Sequence, residues 1–243
     1  WKPFTMETIE DYEEDTEGLN HILNHIRVLC DHEEPVFEYI CKWIGQMLKH
    51  PEIKTGMCPT FISKEGAGKG TLLTLLSNMM GQEKVFETTT PSRDVWGTFN
   101  SPMTSSFLVN LNELSKSETT QSEGKIKGLV TDPSLTINDK GVKQFKITSY
   151  HRFIITTNNE DPIGSKKDDR RKIIIRSSDE KIGDKQYFTN LHKLVNDQDT
   201  LKTCFEHFIN LDGLDKFNLI VPPMVEYQRE IQEASICPIE RWI

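Results

Sequence analysis

The sequence has no long apolar run. Its longest stretches, such as FLVNL at 107–111, fall far short of the roughly 20 residues that a membrane-spanning helix needs. No signal-peptide pattern opens it, and no internal repeat or low-complexity linker interrupts it. Cysteine is sparse and its spacing forms no pairs. Cys30, Cys41, Cys58, Cys204 and Cys237 are odd in number and make no CxxC motif, which argues against a zinc site or a disulfide framework. The expectation is reduced, mostly buried thiols in an intracellular protein. An excess of basic charge is missing too. Lys and Arg total 29 against 37 Asp and Glu, for a net charge of −8, which on its face argues against a general nucleic-acid binder. Much of that acidity is local, however. Glu7, Glu10, Asp11, Glu13, Glu14, Asp15 and Glu17 crowd the amino end with no basic residue between them. A local basic surface, such as a ring could enclose in its channel, is therefore compatible with the overall sign.

What is present describes an ordinary globular chain: 243 residues, 36% hydrophobic and 27% charged, enough for one large domain or a core with satellites. It starts at Trp1 without a methionine and ends at Arg241-Trp242-Ile243, and is read as a piece excised from a longer polypeptide. Leu19, Ile22, Leu23, Ile26 and Leu29 follow helical spacing. A second helix is expected from about Pro35, with Phe37, Ile40, Cys41, Ile44, Met47 and Leu48 on one face. Pro51, Gly56 and Pro59 then break the pattern. The middle alternates short strand-like runs (58–62, 107–111, 152–156, 172–176) with glycine-rich or helical stretches, as an α/β layered domain does. Helical periodicity returns from about Gly183, with a last helix near 224–233 after Pro222-Pro223. The expected division is a helical segment at 1–56, an α/β core at 57–182 and a helical segment at 183–243.

Residues 58–76 read CPTFISKEGAGKGTLLTLL: a strand, a glycine-rich turn, then a leucine-rich helix. This is the order a phosphate cradle requires. Glycines let the backbone curl so that N–H groups point at phosphate oxygens, and the helix N-terminus adds a favourable dipole. Gly66, Ala67, Gly68, Lys69, Gly70 and Thr71 form this candidate nucleotide site, with Lys69 as the charge for the β and γ phosphates. Two positions depart from the usual pattern. Ser63 replaces the first glycine, and Gly70 stands where Ser or Thr normally follows the lysine, leaving Thr71 as the candidate magnesium hydroxyl. A glycine-rich turn without a ligand is the bland alternative.

The run SSFLVNLNE (105–113) ends in Asn112-Glu113, where a carboxylate could hold a magnesium sphere and polarise an attacking water. HRFIITTNN (151–159) ends in polar residues able to orient that water, and DDRRKIIIR (168–176) brings Arg170 and Arg171 just before another strand. Such an arginine could serve a neighbouring subunit's nucleotide as a finger, or simply pair with Asp168 and Asp169. Between these strands, 125–147 is expected to form a helix and then a hairpin turning at Asn138-Asp139-Lys140-Gly141, with Lys143 and Lys146 on the return strand. A lysine hairpin is usually solvated surface; six facing one channel would make a ring of positive charge.

The order of these elements resembles that of superfamily 3 helicases, and more narrowly the poxvirus-type primase-helicases of large DNA viruses and phages. GAGKGTLL, WGTFNSP (96–102), KGLVTDP (127–133), FIITTNN and DDRRKIII carry the likeness, together with the lead-in EEPVFEYICKWIGQMLKHP at 33–51. It covers about residues 30–190. The resemblance implies an α/β fold of the P-loop NTPase kind, with an AAA+-like core and a parallel-type sheet flanked by helical segments. It implies an ATPase with ATP and Mg2+ as cofactors, acting as a hexameric ring on single-stranded DNA at an intracellular site, in host cytoplasm or nucleus. Whether a primase domain belongs to the same polypeptide is left open, and no membrane partner is expected. By the same resemblance Lys69 and Thr71 match Walker A, Asn112-Glu113 match Walker B, Asn158 matches sensor 1 and Arg170 or Arg171 the finger. Lys140 and Lys143 match the DNA-contacting hairpin, and Thr71 and Glu113 would hold the metal. Another P-loop motor, for packaging or remodelling, and a nucleotide-dependent DNA-binding module without turnover are the competing readings.

Overall fold

The structure, a computed structural model, describes residues 2–114, 116–159 and 171–234. From the amino end the chain forms α1 (Thr16–Leu29), α2 (Glu34–Lys49), β1 (Cys58–Ile62), α3 (Lys69–Met80), β2 (Val85–Thr88) and a short α4 (Pro91–Asp94). There follow β3 (Leu108–Asn112), α5 (Lys116–Thr131), β4 (Ser134–Ile137), β5 (Phe145–Thr148), β6 (Arg152–Thr157) and β7 (Lys172–Arg176). The last helices are α6 (Lys185–Leu194), α7 (Gln198–Ile209) and α8 (Glu226–Ala234). No helix among the described residues is long and apolar enough to cross a membrane.

Five strands make one sheet in the order β2-β3-β6-β1-β7, every neighbouring pair parallel. Strands buried on both faces need apolar residues at consecutive positions rather than alternate ones. That is why LVNL, FIITT and KIIIR read as continuous runs. Alternation then divides them between two apolar layers. Phe61, Leu108, Ile154, Ile173 and Ile175 face the layer that contains α1, α2, α3 and α7. Cys58, Val109, Leu111, Phe153 and Ile155 face the layer of Ile126 and Val130 from α5. The helices from the two ends of the chain thus share one apolar cluster with α3.

Local chemistry sets the helix starts. Asp15 caps α1 by accepting from the Gly18 N–H at 2.8 Å, and Thr200 at the start of α7 donates to the same carboxylate at 2.6 Å. These hydrogen bonds, Thr200's first, hold the Asp15 carboxyl below its usual range. Asp184 and Asp197 cap α6 and α7 in the same way, through Tyr187 N–H and Thr200 N–H. Pro35 lies in the first turn of α2, where a missing N–H costs nothing. Cys30, Cys41, Cys58 and Cys204 are buried free thiols, and burial pushes Cys41 and Cys204 up to about 12.

The hairpin departs from expectation. β4 and β5 pair antiparallel from Ser134↔Thr148 to Ile137↔Phe145, so residues 138–144 form the connection and Lys143 lies in that loop, not on the return strand. The reason is a competing partner. The Asn138 N–H donates to Asn100 Oδ1 at 2.9 Å and its carbonyl accepts from the Asn100 N–H at 3.1 Å, which takes Asn138 out of the tight turn. Val142 and Phe145 are left exposed beside the lysines.

Candidate functional site

β6 lies between β1 and β3. At about 4.8 Å per strand this sets the loops after β1 and β3 roughly 10 Å apart, with the end of β6 between them. Three sequence-expected residues meet there. Lys69 Nζ donates to Asn158 Oδ1 at 2.8 Å, and Asn158 Nδ2 donates to Glu113 Oε1 at 2.6 Å. The carboxamide's orientation follows from charge: its oxygen faces the cation and its N–H faces the anion. One neutral side chain therefore spaces a lysine from a carboxylate at the carboxyl ends of three adjacent parallel strands.

Lys69 opens α3, and its ammonium is further held by the Ser63 carbonyl at 3.0 Å and the Ser63 Oγ at 2.5 Å. Burial lowers its pKa; Glu113, Asp179 and Glu65 pull the other way. Ser63 is the position where the sequence departs from glycine, and its hydroxyl has a use: it accepts from the lysine. Gly66 and Gly68 have φ of +85° and +98°, the left-handed region that favours glycine. A Cβ on Gly70 would meet nothing within 4 Å, and one on Gly66 only Ile182 at 3.8 Å, so these backbone positions front open space. Thr71, one residue on, is 5% exposed.

Glu113 has φ of +54°, a conformation uncommon for a residue with a side chain and costing on the order of 1 kcal/mol. Its N–H donates to the Thr156 carbonyl at 2.9 Å, which extends the β3–β6 ladder one step past Asn112. Asn112 itself points elsewhere. Its amide reaches Glu87 at 3.3 Å, and its oxygen accepts from Thr156 Oγ1 at 3.1 Å. Buried Asn110 joins the same polar line through Glu87 and Thr156.

The remaining expected residues lie apart. Arg171 precedes β7, and its carbonyl accepts from the Cys58 N–H at 2.8 Å. It therefore stands at the amino ends of β1 and β7, a strand's length away from Lys69. Arg170 lies outside the described residues. Lys140 and Lys143 are exposed in the hairpin loop. No group of three or more His, Cys, Asp or Glu able to hold a metal occurs among the described residues. Sequence reasoning missed Glu87, Ser63's role, and a pair from the helical flanks, His25 and Tyr187, which reach the glycine turn. Only Ser63 had left a signal, as a break in the glycine pattern.

A family model described as "Family of unknown function (DUF5906)" matches residues 61–171. The DNA primase-polymerase of Nitratiruptor phage NrS-1 is 26% identical over 178 residues, which are 72% of this chain and 24% of that protein. The apo structure of the NrS-1 C-terminal region superposes with a TM-score of 0.78 at 21% identity, over 98% of this chain and 56% of that one. An A-form apo structure of the same region gives 0.79 at 22%, over 98% and 55%. The chain has the NrS-1 C-terminal fold. It spans about a quarter of the curated NrS-1 protein and just over half of the solved chains.

Proposed function

We propose that the chain is the ATP-hydrolysing motor module of a phage-type DNA replication protein. It is an AAA+-like P-loop domain of the superfamily 3 helicase kind, moving on single-stranded DNA as a hexameric ring. The observation that carries this reading is the Lys69–Asn158–Glu113 line at the ends of β1, β6 and β3. The similarity to a phage primase-polymerase supports the replication setting.

The residues present fit a magnesium nucleotide. Gly66 and Gly70 leave the turn uncovered by side chains, and Lys69 is held on neutral oxygens ready to exchange them for phosphate. The amides of Gly66–Thr71 and Lys69 would hold the phosphates, and Thr71 and Glu113 the metal sphere. Bound Mg2+ supplies neutralisation of charge on the transferring phosphoryl group. Glu113 accepts the proton of the attacking water, and Asn158 orients that water through the same amide that now faces both charges. Arg170 or Arg171 acts on a neighbouring subunit's nucleotide, in keeping with Arg171's distance from its own Lys69. Lys140 and Lys143 line the channel and neutralise DNA phosphates.

The deciding measurement is ATP hydrolysis with and without single-stranded DNA, with Lys69→Ala as control and oligomer size followed by light scattering. DNA-stimulated turnover that disappears in Lys69→Ala is the expected result. Assembled rings without turnover would overturn the motor and leave a nucleotide-dependent DNA-binding module.

The hairpin has its own test. Replacing Lys140 and Lys143 with Ala should weaken DNA binding and lower the salt slope by about 1.4 for each subunit engaged on the strand, at about 0.7 per phosphate neutralised. A slope unchanged in the double variant removes the hairpin from the DNA path.

A further inference from the structure

Gly68 ends the glycine turn and caps α3, and its carbonyl accepts from the Thr71 N–H at 3.0 Å and the Leu72 N–H at 3.4 Å. A third group reaches the same oxygen. His25, in the middle of α1 and 3% exposed, places its Nε2 3.1 Å away. Its other nitrogen, Nδ1, lies 3.0 Å from the Tyr187 hydroxyl at the start of α6. The proton positions follow from the partners. A carbonyl can only accept, so Nε2 carries the hydrogen; Nδ1 is then a lone pair, and Tyr187 donates to it. The ring also packs edge-on to Phe188, with centroids 6.2 Å apart. The fit leaves no slack: a Cβ on Gly68 would come within 2.3 Å of His25 Cε1 and 2.9 Å of Phe188.

We propose that His25 is a positioning residue for the phosphate loop, locking the Gly68–Lys69 peptide and tying nucleotide affinity to the docking of α6 through Tyr187. The physical link is peptide planarity. In a trans peptide the carbonyl and the following N–H point in opposite directions. Holding the Gly68 carbonyl towards the imidazole therefore aims the Lys69 N–H away from it, out of the amino end of α3, where an anion is met. The imidazole stays neutral: burial lowers its pKa to about 4, ahead of the opposing Gly68 hydrogen bond. A positive charge behind the loop would alter its field, and the site avoids one. The first fifty residues and the segment after 183 thereby meet at one peptide group of the loop.

The affinity part of this inference rests on the nucleotide reading, whereas the locking part can be measured without it. Amide hydrogen exchange at Thr71 and Leu72, whose N–H groups donate to the Gly68 carbonyl, should accelerate about tenfold in His25→Phe in nucleotide-free protein, the scale of one lost hydrogen bond. ATP affinity, followed with a fluorescent ATP analogue, should fall by about the same factor. His25→Gln restores a donor at the Nε2 position and should recover both readouts to within about threefold, while Tyr187→Phe, which keeps the ring, gives an intermediate loss. Glutamine behaving like phenylalanine at both readouts, with all variants folded by thermal melting, would overturn the proposal. So would exchange at Thr71 and Leu72 that ignores both His25→Phe and Tyr187→Phe. If wild-type protein binds no ATP yet His25→Phe still speeds exchange at Thr71 and Leu72, the nucleotide reading falls and the lock stands. If wild-type binds ATP and neither readout responds to His25→Phe, the lock falls and the nucleotide reading stands.

Discussion

Glu113→Gln abolishes turnover while ATP still binds: a kcat loss of at least about 10²-fold is expected, the lower end of what a positioned general base contributes. Glutamine matches the carboxylate in size and retains an oxygen for the Asn158 N–H, so the hydrogen bond at 2.6 Å survives and only the capacity to take a proton is lost. The backbone at φ +54° is the second half of the argument. Glu113→Gly relieves that conformation and should be about 1 kcal/mol more stable than Glu113→Ala, which loses the same side chain but keeps the Cβ, with both variants inactive. Steady-state ATPase, ATP affinity and thermal melting of these three variants separate the effects. Turnover that survives Glu113→Gln would remove the carboxylate from the chemistry, and Glu113→Gly no more stable than Glu113→Ala would mean that the left-handed backbone carries no strain.

The largest stability effect is expected at Arg152. This first residue of β6 is 1% exposed, and its two Nη atoms donate to carbonyls rather than to a carboxylate, while its buried Nε has no hydrogen-bond partner. One Nη donates to Tyr150 at 2.8 Å; the other reaches the carbonyls of His50, Pro51 and Ile53. The guanidinium also lies over the Phe107 ring at 5.3 Å. Burial lowers its pKa to about 10, still well above neutral, so the charge is kept and the loop that leads into β1 is gathered around it. Arg152→Ala takes the side-chain donor from the Tyr150 and Pro51 carbonyls, leaves Ile53 with Gln46 Nε2 and His50 with the Ile53 N–H, and opens a cavity, a loss of about 3 kcal/mol. Arg152→Lys keeps the charge but offers three donors on a point ammonium instead of a planar fork, and should recover only part of the loss. Urea unfolding of the two variants measures this; a cost under about 1 kcal/mol for alanine would mean that water replaces the guanidinium at those carbonyls.

The central strands were legible because a parallel strand buried on both faces leaves a continuous apolar run that no turn or amphipathic helix imitates. The glycine turn was legible because backbone at φ of +85° and +98° all but requires the residue type. The polar ends of β3 and β6 were legible only as an ordered set; the sheet order that brings Glu113 and Asn158 beside Lys69 depends on pairings between distant segments. β2 escaped because Val-Phe-Glu-Thr is too short to show a period, and with it went Glu87, which reaches Asn110 and Asn112 from that strand. His25 escaped for another reason. Its helix face reads as ordinary packing, and its partners at Gly68 and Tyr187 are 43 and 162 residues away. The hairpin turn was readable, but the length of its loop was not, since Asn138 is claimed by Asn100 rather than by its neighbours.

The position of β1 between β6 and β7 has a consequence for how the chain is made. Its two neighbours are β6 and β7, both far downstream, while β2 and β3 can pair with each other early. At about 5–20 residues per second, the interval between emergence of Ile62 and of Arg176 is on the order of ten seconds. Throughout that time the strand leading into the glycine turn has helices to lean on, α1, α2 and α3, but no sheet to join. A nascent chain stopped before Arg152 holds a β2–β3 ribbon and a helical cluster, and the loop's geometry is completed only when the last two strands arrive on either side.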